Sequence, residues 1–323
     1  MKQVPNDKTG GEDSILVAGS AGFIGKALIR KLSDAGRAMN CLYHAHLPDP
    51  VPHMTPTFAD MMRREHIIST LAGVGTVVHL AWSQSFRARW EEAFWAQEGV
   101  RQDGRNIAMV KNLVSAMEEA GTRRIIFVSA LGASRTAESW YLQEKYFAEA
   151  LILNSKIPEK IILRSSLAYA DLGAKDRLVA AIERLMRFPW FYPVPKCQEK
   201  LAPIHVSDLA EIIYRLIDIA IMEPANLIEV SGLEALDIED VFRFVSVGIG
   251  KGAHIALKGL LGQALTPLFE QMQKRRSETS PDLRDLLTVG NSRDKAVEID
   301  NPILKDLPSG THRFQETMVS KAH

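Results

Sequence analysis

Residues 14–28, SILVAGSAGFIGKAL, decide how this chain is read. The apolar run Ile15, Leu16, Val17, Ala18 has the composition of a buried strand. It feeds straight into a glycine-rich turn, Gly19, Ser20, Ala21, Gly22, Phe23, Ile24, Gly25, and a helical pattern follows. Strand, tight turn and helix start form the layout on which a dinucleotide pyrophosphate rests. Gly19 lets the chain leave the strand sharply. Gly22 keeps a Cβ out of the path of the phosphates, and Gly25 lets the helix pack close to the sheet. The free N–H groups and positive dipole end of the helix then face the anion.

Outward from this turn, strands and helices alternate. The first helix runs to about Ala35, and residues 38–43 read as a second strand. Residues 44–57 are a loop with four prolines, and Phe58, Ala59, Asp60 and Met61 end a short third strand. A helix over 64–71 and a buried strand over 76–80 come next. They are followed by a helix over 106–120, a strand over 124–128, a helix over 141–153 and a strand over 160–163. This order predicts an α/β fold, a Rossmann-type doubly wound parallel sheet. Beyond Ser165 the pattern loosens, with helices expected over 178–187, 207–217, 237–247 and 256–272 and a strand over 227–230. Ser207 or Asp208 is the expected cap of the second of these helices. The expected division is a flexible tail over 1–13, a dinucleotide-binding domain over 14–170 and a smaller substrate-binding lobe over 171–323 that interleaves with the sheet.

The chain has 323 residues, with 39 basic and 39 acidic side chains. A formal net charge of zero favours neither nucleic acid nor an anionic membrane as partner. Cys41 and Cys197 stand far apart, so they form no disulfide framework and no Cys-x-x-Cys site, as expected of a reducing, cytoplasmic setting. No apolar run reaches the roughly 18–20 residues of a bilayer span. His44, His46 and His53 lie in the proline-broken loop without a recognisable ligand spacing, so no metal is expected. Residues 245–269 are largely apolar; they close the second lobe or offer a face to a homodimer mate or a peripheral partner.

Tyr141 and Lys145 stand four apart in YLQEK, on one face of a helix. A nearby ammonium favours phenolate. The pair can then exchange a proton with a substrate hydroxyl or carbonyl while hydride moves to or from a nicotinamide. Taken with the glycine turn, VVHLA over 77–81, Asn106 with Asn112 and Leu113, Phe127-Val128-Ser129, and PIHVSDLA over 203–210, the chain resembles the extended and atypical short-chain dehydrogenase/reductases of the NAD-dependent epimerase/dehydratase-like group. The resemblance implies that the glycine turn holds the pyrophosphate and that Asp60 and Met61 sit beside adenine. Of Trp82, Trp90 and Trp95, Trp82 alone is expected to line a substrate pocket, because it follows the strand end; the resemblance places Ala81 against the cofactor. It makes Tyr141 the acid/base. Lys145 lowers its pKa and binds the nicotinamide ribose. Ser165 belongs to the loop on the nicotinamide side.

Three departures stand out. The family's serine or threonine beside the tyrosine falls on Ala130, with Ser129 one residue earlier; Ser129 is expected to substitute because the chain can bend at a strand end. The family's Arg-Pro-x-x-x-Tyr-Gly-Pro is here Arg164-Ser165-Ser166-Leu167-Ala168-Tyr169-Ala170-Asp171. His44 stands where an acid would select NAD, and its neutrality leans toward NADP. Two functions follow. One is an NAD(P)-dependent oxidoreductase or epimerase of a small molecule. The other is a catalytically weak nucleotide-binding structural or assembly subunit, resembling the short-chain-dehydrogenase-like accessory subunit of respiratory complex I.

Overall fold

A computed structural model describes residues 14–82, 104–137, 139–172, 179–180, 182–183, 186, 190–194, 200–220, 225–251, 255–257 and 310–319. The expected tail over 1–13, Cys197, Trp90 and Trp95 lie outside these residues. In chain order the strands are β1 (Ser14–Ala18), β2 (Met39–Tyr43), β3 (Met54–Phe58), β4 (Val74–His79), β5 (Arg124–Ala130), β6 (Glu159–Ser165), β7 (Ala168–Tyr169), β8 (Phe191–Pro193), β9 (Ile204–His205), β10 (Ala225–Val230) and β11 (Ile255–Leu257). The helices are α1 (Phe23–Asp34), α2 (Arg64–Ile68), α3 (Arg105–Ala120), α4 (Trp140–Leu153), α5 (Val206–Asp218), α6 (Ile238–Gly248) and α7 (Phe314–Val319).

Seven strands form one sheet in the order β10-β6-β5-β4-β1-β2-β3, and every pairing is parallel. The order reverses between β1 and β4, so a crevice opens there at the carboxyl ends of the strands. The central strands are apolar on both sides because helices cover both faces. On one face α1 and α5 bury Leu28, Ile29, Leu32, Leu209, Ile212, Ile213 and Leu216 against Val17, Val78 and Ile126. On the other, α2, α3 and α4 bury Ile67, Val110, Leu113, Ala148 and Ile152 against Leu16, Val77 and Phe127. The spacing of the α5 residues, at 209, 212, 213 and 216, is that of an amphipathic helix.

Several expectations change. Residues 54–58 form β3 rather than loop; Pro56 is tolerated because β3 is an edge strand, where a missing N–H costs no ladder bond. Helix α5 is capped by His205, whose Nδ1 accepts from the Ser207 N–H at 3.3 Å, not by Ser207 or Asp208. Residues 255–257 pair with β8 as β11, although a helix was expected from 256. The chain past 171 also returns to the main sheet, through β10 alongside β6. Buried Arg124 on β5 ties these parts together. It donates to the carboxyl-end carbonyls of Leu216, Ile217 and Ile219, which otherwise lack helical partners, and to Glu159 at 2.6 Å. A second apolar core joins Tyr169, Tyr192, Val241, Phe242, Val245, Phe314 and Met318. Asp208 secures α7 to it by accepting from Thr311 N, Thr311 Oγ1 and His312 N at 3.1, 2.9 and 3.1 Å.

Candidate functional site

The glycine turn is built by backbone sterics. Gly19 has φ +91, and a Cβ there would lie 2.5 Å from the Ala81 nitrogen. The chain leaving β4 therefore presses on the chain leaving β1, and only glycine fits the conformation and the gap. A Cβ at Gly25 would fall inside the Gly19 carbonyl oxygen. The close approach at Gly25 is thus to the turn itself, where helix–sheet packing was expected. Gly22 is exposed, its N–H donates to Gly19 O at 3.0 Å, and no side chain caps α1 there. The first-turn N–H groups of α1 stand at the crevice as anion donors. Ala21, Phe23 and Ile24 are half-buried around the turn. Ser20 is buried, and its hydroxyl donates to Leu42 O at 3.3 Å, so its side chain holds β2 in place. This cradle, which a Cβ would fill, fits a dinucleotide phosphate.

At the outer end, Asp60 Oδ1 accepts from Met62 N at 2.9 Å. Asn112 donates to the Met61 and Met62 carbonyls at 3.1 and 3.0 Å, which shapes the strand-end loop. His44 is exposed, with its ring 6.0 Å from Phe58.

At the inner end, Tyr141 and Lys145 share one face of α4, and the Lys145 Nζ lies 5.6 Å from the Tyr141 ring centre. Lys145 is 5% exposed. Its ammonium donates to Val128 O at 2.9 Å and lies 3.8 Å from the Trp82 ring centre and 4.7 Å from that of Phe127. Burial pushes its pKa down to about 7, against the opposing pull of Glu149 and Glu144. His79, fully buried beside this group, stacks on Phe127 at 5.5 Å. Neither of its ring nitrogens has a partner among the described residues.

Ser129 does not take the expected place. Its hydroxyl donates to Glu149 Oε1 at 2.5 Å, and Glu149 also accepts from Arg164 Nε and Nη2 at 3.0 and 2.7 Å. The reason is regularity. Strand β5 keeps its register with β6 as far as Ala130 opposite Ser165, so alternation holds Ser129 on the Phe127 side. Its single proton is committed to Glu149. Ala130 instead packs with Tyr141, Leu142 and Ala137. The sequence reading missed Glu149, four residues past Lys145, although that spacing puts it on the same helical face. Ser165 is buried. Ser166 is also buried, and its Oγ has no partner among the described residues. The described residues contain no group of three or more His, Cys, Asp or Glu able to hold a metal. None of their helices is long and apolar enough to cross a membrane.

A family model described as NAD(P)H-binding matches residues 19–178. The Arabidopsis thaliana mitochondrial NADH dehydrogenase [ubiquinone] 1 alpha subcomplex subunit 9 is 26% identical over 219 residues, 64% of this chain. The match spans about half of that relative, 51% of its length. The mitochondrial protein FMP52 of Lodderomyces elongisporus is 24% identical over 72% of this chain and 99% of its own length. Among solved structures, MoeE5 in complex with UDP-glucose and NAD superposes with a TM-score of 0.68 over 96% of this chain and 97% of that one, at 17% identity. That likeness is one of fold.

Proposed function

We propose that this chain, which resembles the extended and atypical short-chain dehydrogenase/reductases and matches an NAD(P)H-binding family model over residues 19–178, is an NAD(P)(H)-binding structural or assembly subunit with weak catalysis. The observation that carries the reading is the Ser129 hydroxyl bonded to Glu149, with Ala130 packed against Tyr141. A donor missing from an oxyanion site costs roughly 10²–10³ in rate. The relative that is a subunit of NADH dehydrogenase supports the same reading. We propose NADP(H) as the preferred nucleotide, since exposed His44 offers no carboxylate to repel a 2′-phosphate. The two cysteines, Cys41 and Cys197, stand far apart in the sequence and suit a reducing compartment such as the cytoplasm. The two relatives above carry mitochondrial names, and cell fractionation decides between the two locations.

A second reading, an oxidoreductase or epimerase of a carbonyl or hydroxyl group, is favoured by the Tyr141/Lys145 pair and by the Ser166 hydroxyl at the same edge, which has no partner among the described residues. There a bound nicotinamide supplies or accepts the hydride. Tyr141 moves the proton at its phenolic oxygen, Lys145 holds charge beside it, and Ser165 or Ser166 steadies the reacting oxygen. Calorimetric titration with NADH and NADPH, followed by NAD(P)H oxidation assays across a panel of carbonyl compounds, tests both. The first reading expects binding without stimulated oxidation. Turnover at about 1 s⁻¹ or faster that disappears in Tyr141→Phe establishes the second. No binding of either nucleotide overturns both.

A further inference from the structure

Lys145 is the cation of the inner site, and the chain's own rings enclose it. Phe127 is fully buried, whereas Trp82 and Tyr141 are half-buried. Of these three rings, Trp82 and Tyr141 are the two near enough to the surface for an incoming ligand to move. Tyr141 is carried on α4 together with Lys145. Trp82 follows the end of β4 outside regular structure, and its ring is the nearer one, at 3.8 Å against 5.6 Å. It also meets Tyr141 edge-on at 6.3 Å, so one indole covers both members of the pair. Its neighbour Ala81 is the residue pressed against Gly19. The indole thus stands where a ligand seated on the glycine turn continues inward.

We infer that Trp82 is an intramolecular competitor for Lys145: its indole sits on the Lys145 amine, and a dinucleotide long enough to reach Lys145 must displace it. Ligands confined to the adenine half leave the indole where it is. Trp82 therefore sets the discrimination between whole dinucleotides and adenosine phosphates, and it keeps Lys145 shielded from solvent until the longer ligand arrives. Attraction between a cation and an aromatic face is of a size that a ligand can overcome while losing measurable affinity.

This inference rests on the nucleotide-binding reading, and the experiment separates the two. NADPH, NADH and ADP are titrated calorimetrically into the full-length chain and into Trp82→Ala and Trp82→Leu; the leucine keeps part of the packing volume. Both variants are expected to bind the preferred dinucleotide about three- to thirty-fold more tightly, with ADP affinity unchanged within about twofold. In parallel, acetylation of Lys145 by acetic anhydride at about pH 10, where lysine amines are substantially deprotonated, followed by peptide mass spectrometry, is expected to be roughly tenfold faster or more in the variants, since the amine becomes exposed to the reagent. Unchanged dinucleotide affinity and unchanged labelling, with ADP still bound, overturn the competitor and leave the nucleotide reading intact. Weaker dinucleotide binding in the variants also overturns it, by making Trp82 a platform for the ligand. Absence of binding by all three nucleotides overturns the nucleotide reading and this inference together.

Discussion

The two ends of the carboxyl edge are built on different principles. At the outer end the glycine turn matches its pattern because each constraint is local. Gly19 takes a backbone angle that other residues resist, and the chain after β4 leaves it no room for a Cβ. At the inner end the residue types are those expected, yet their partners are not. Lys145 lies beneath Trp82, and Ser129 is bonded to Glu149. A steric requirement is met by the presence of a residue, whereas a catalytic arrangement also needs that residue's hydrogen bonds to be available.

The sharpest test of this contrast removes Glu149. It is 3% exposed, and its hydrogen bond is the chief cause that raises the pKa of Arg164 beside it. Glu149→Ala leaves the guanidinium without its main partner, and breaking a buried pair costs about 3–5 kcal/mol. Urea denaturation is expected to show a loss of that size. A loss under about 1 kcal/mol makes Ser129 free to turn, and the contrast collapses.

The next variant restores the absent group. Ala130→Ser places a hydroxyl beside Tyr141, and for any carbonyl compound giving measurable NAD(P)H oxidation the rate is expected to rise about 10²–10³-fold. An unchanged rate means that Ser165 or Ser166 already serves and that the inner end is complete.

At the outer end, Gly19→Ala forces a Cβ into Ala81 at a positive φ. Strain of about 1–3 kcal/mol is expected in the unfolding free energy, together with dinucleotide affinity lowered at least tenfold. Retained affinity detaches the turn from the ligand.

The remaining test is the pH dependence. Burial lowers the His79 pKa from 6.5 to about 3, with Lys145 adding to the shift. The unfolded chain takes up this proton below about pH 6.5, while the folded chain resists until near pH 3. Stability is therefore full above pH 6.5 and falls by about 1.4 kcal/mol per pH unit through that window. His205, lowered chiefly by burial and then by His312, acts in the same direction. Denaturation at several pH values is expected to show His79→Leu with a shallower slope than the parent chain. Equal slopes place the proton uptake elsewhere.

The sequence by itself determined the parallel sheet, because apolar runs of strand length alternating with helical periods have few other ways to be buried. It also determined the glycine turn and the shared face of Tyr141 and Lys145, both of which depend on spacing within one element. Edge strand β3 escaped it because Pro56 reads as a loop signal until the strand's position at the sheet edge is known. Only the tertiary structure decided which way Ser129 faces, that Glu149 and Arg164 meet it, and that Trp82 covers Lys145. Those contacts join β4, β5, β6 and α4, and a hydroxyl or an ammonium takes whichever partner the packing brings within reach. Periodicity within one segment carries no information about that choice.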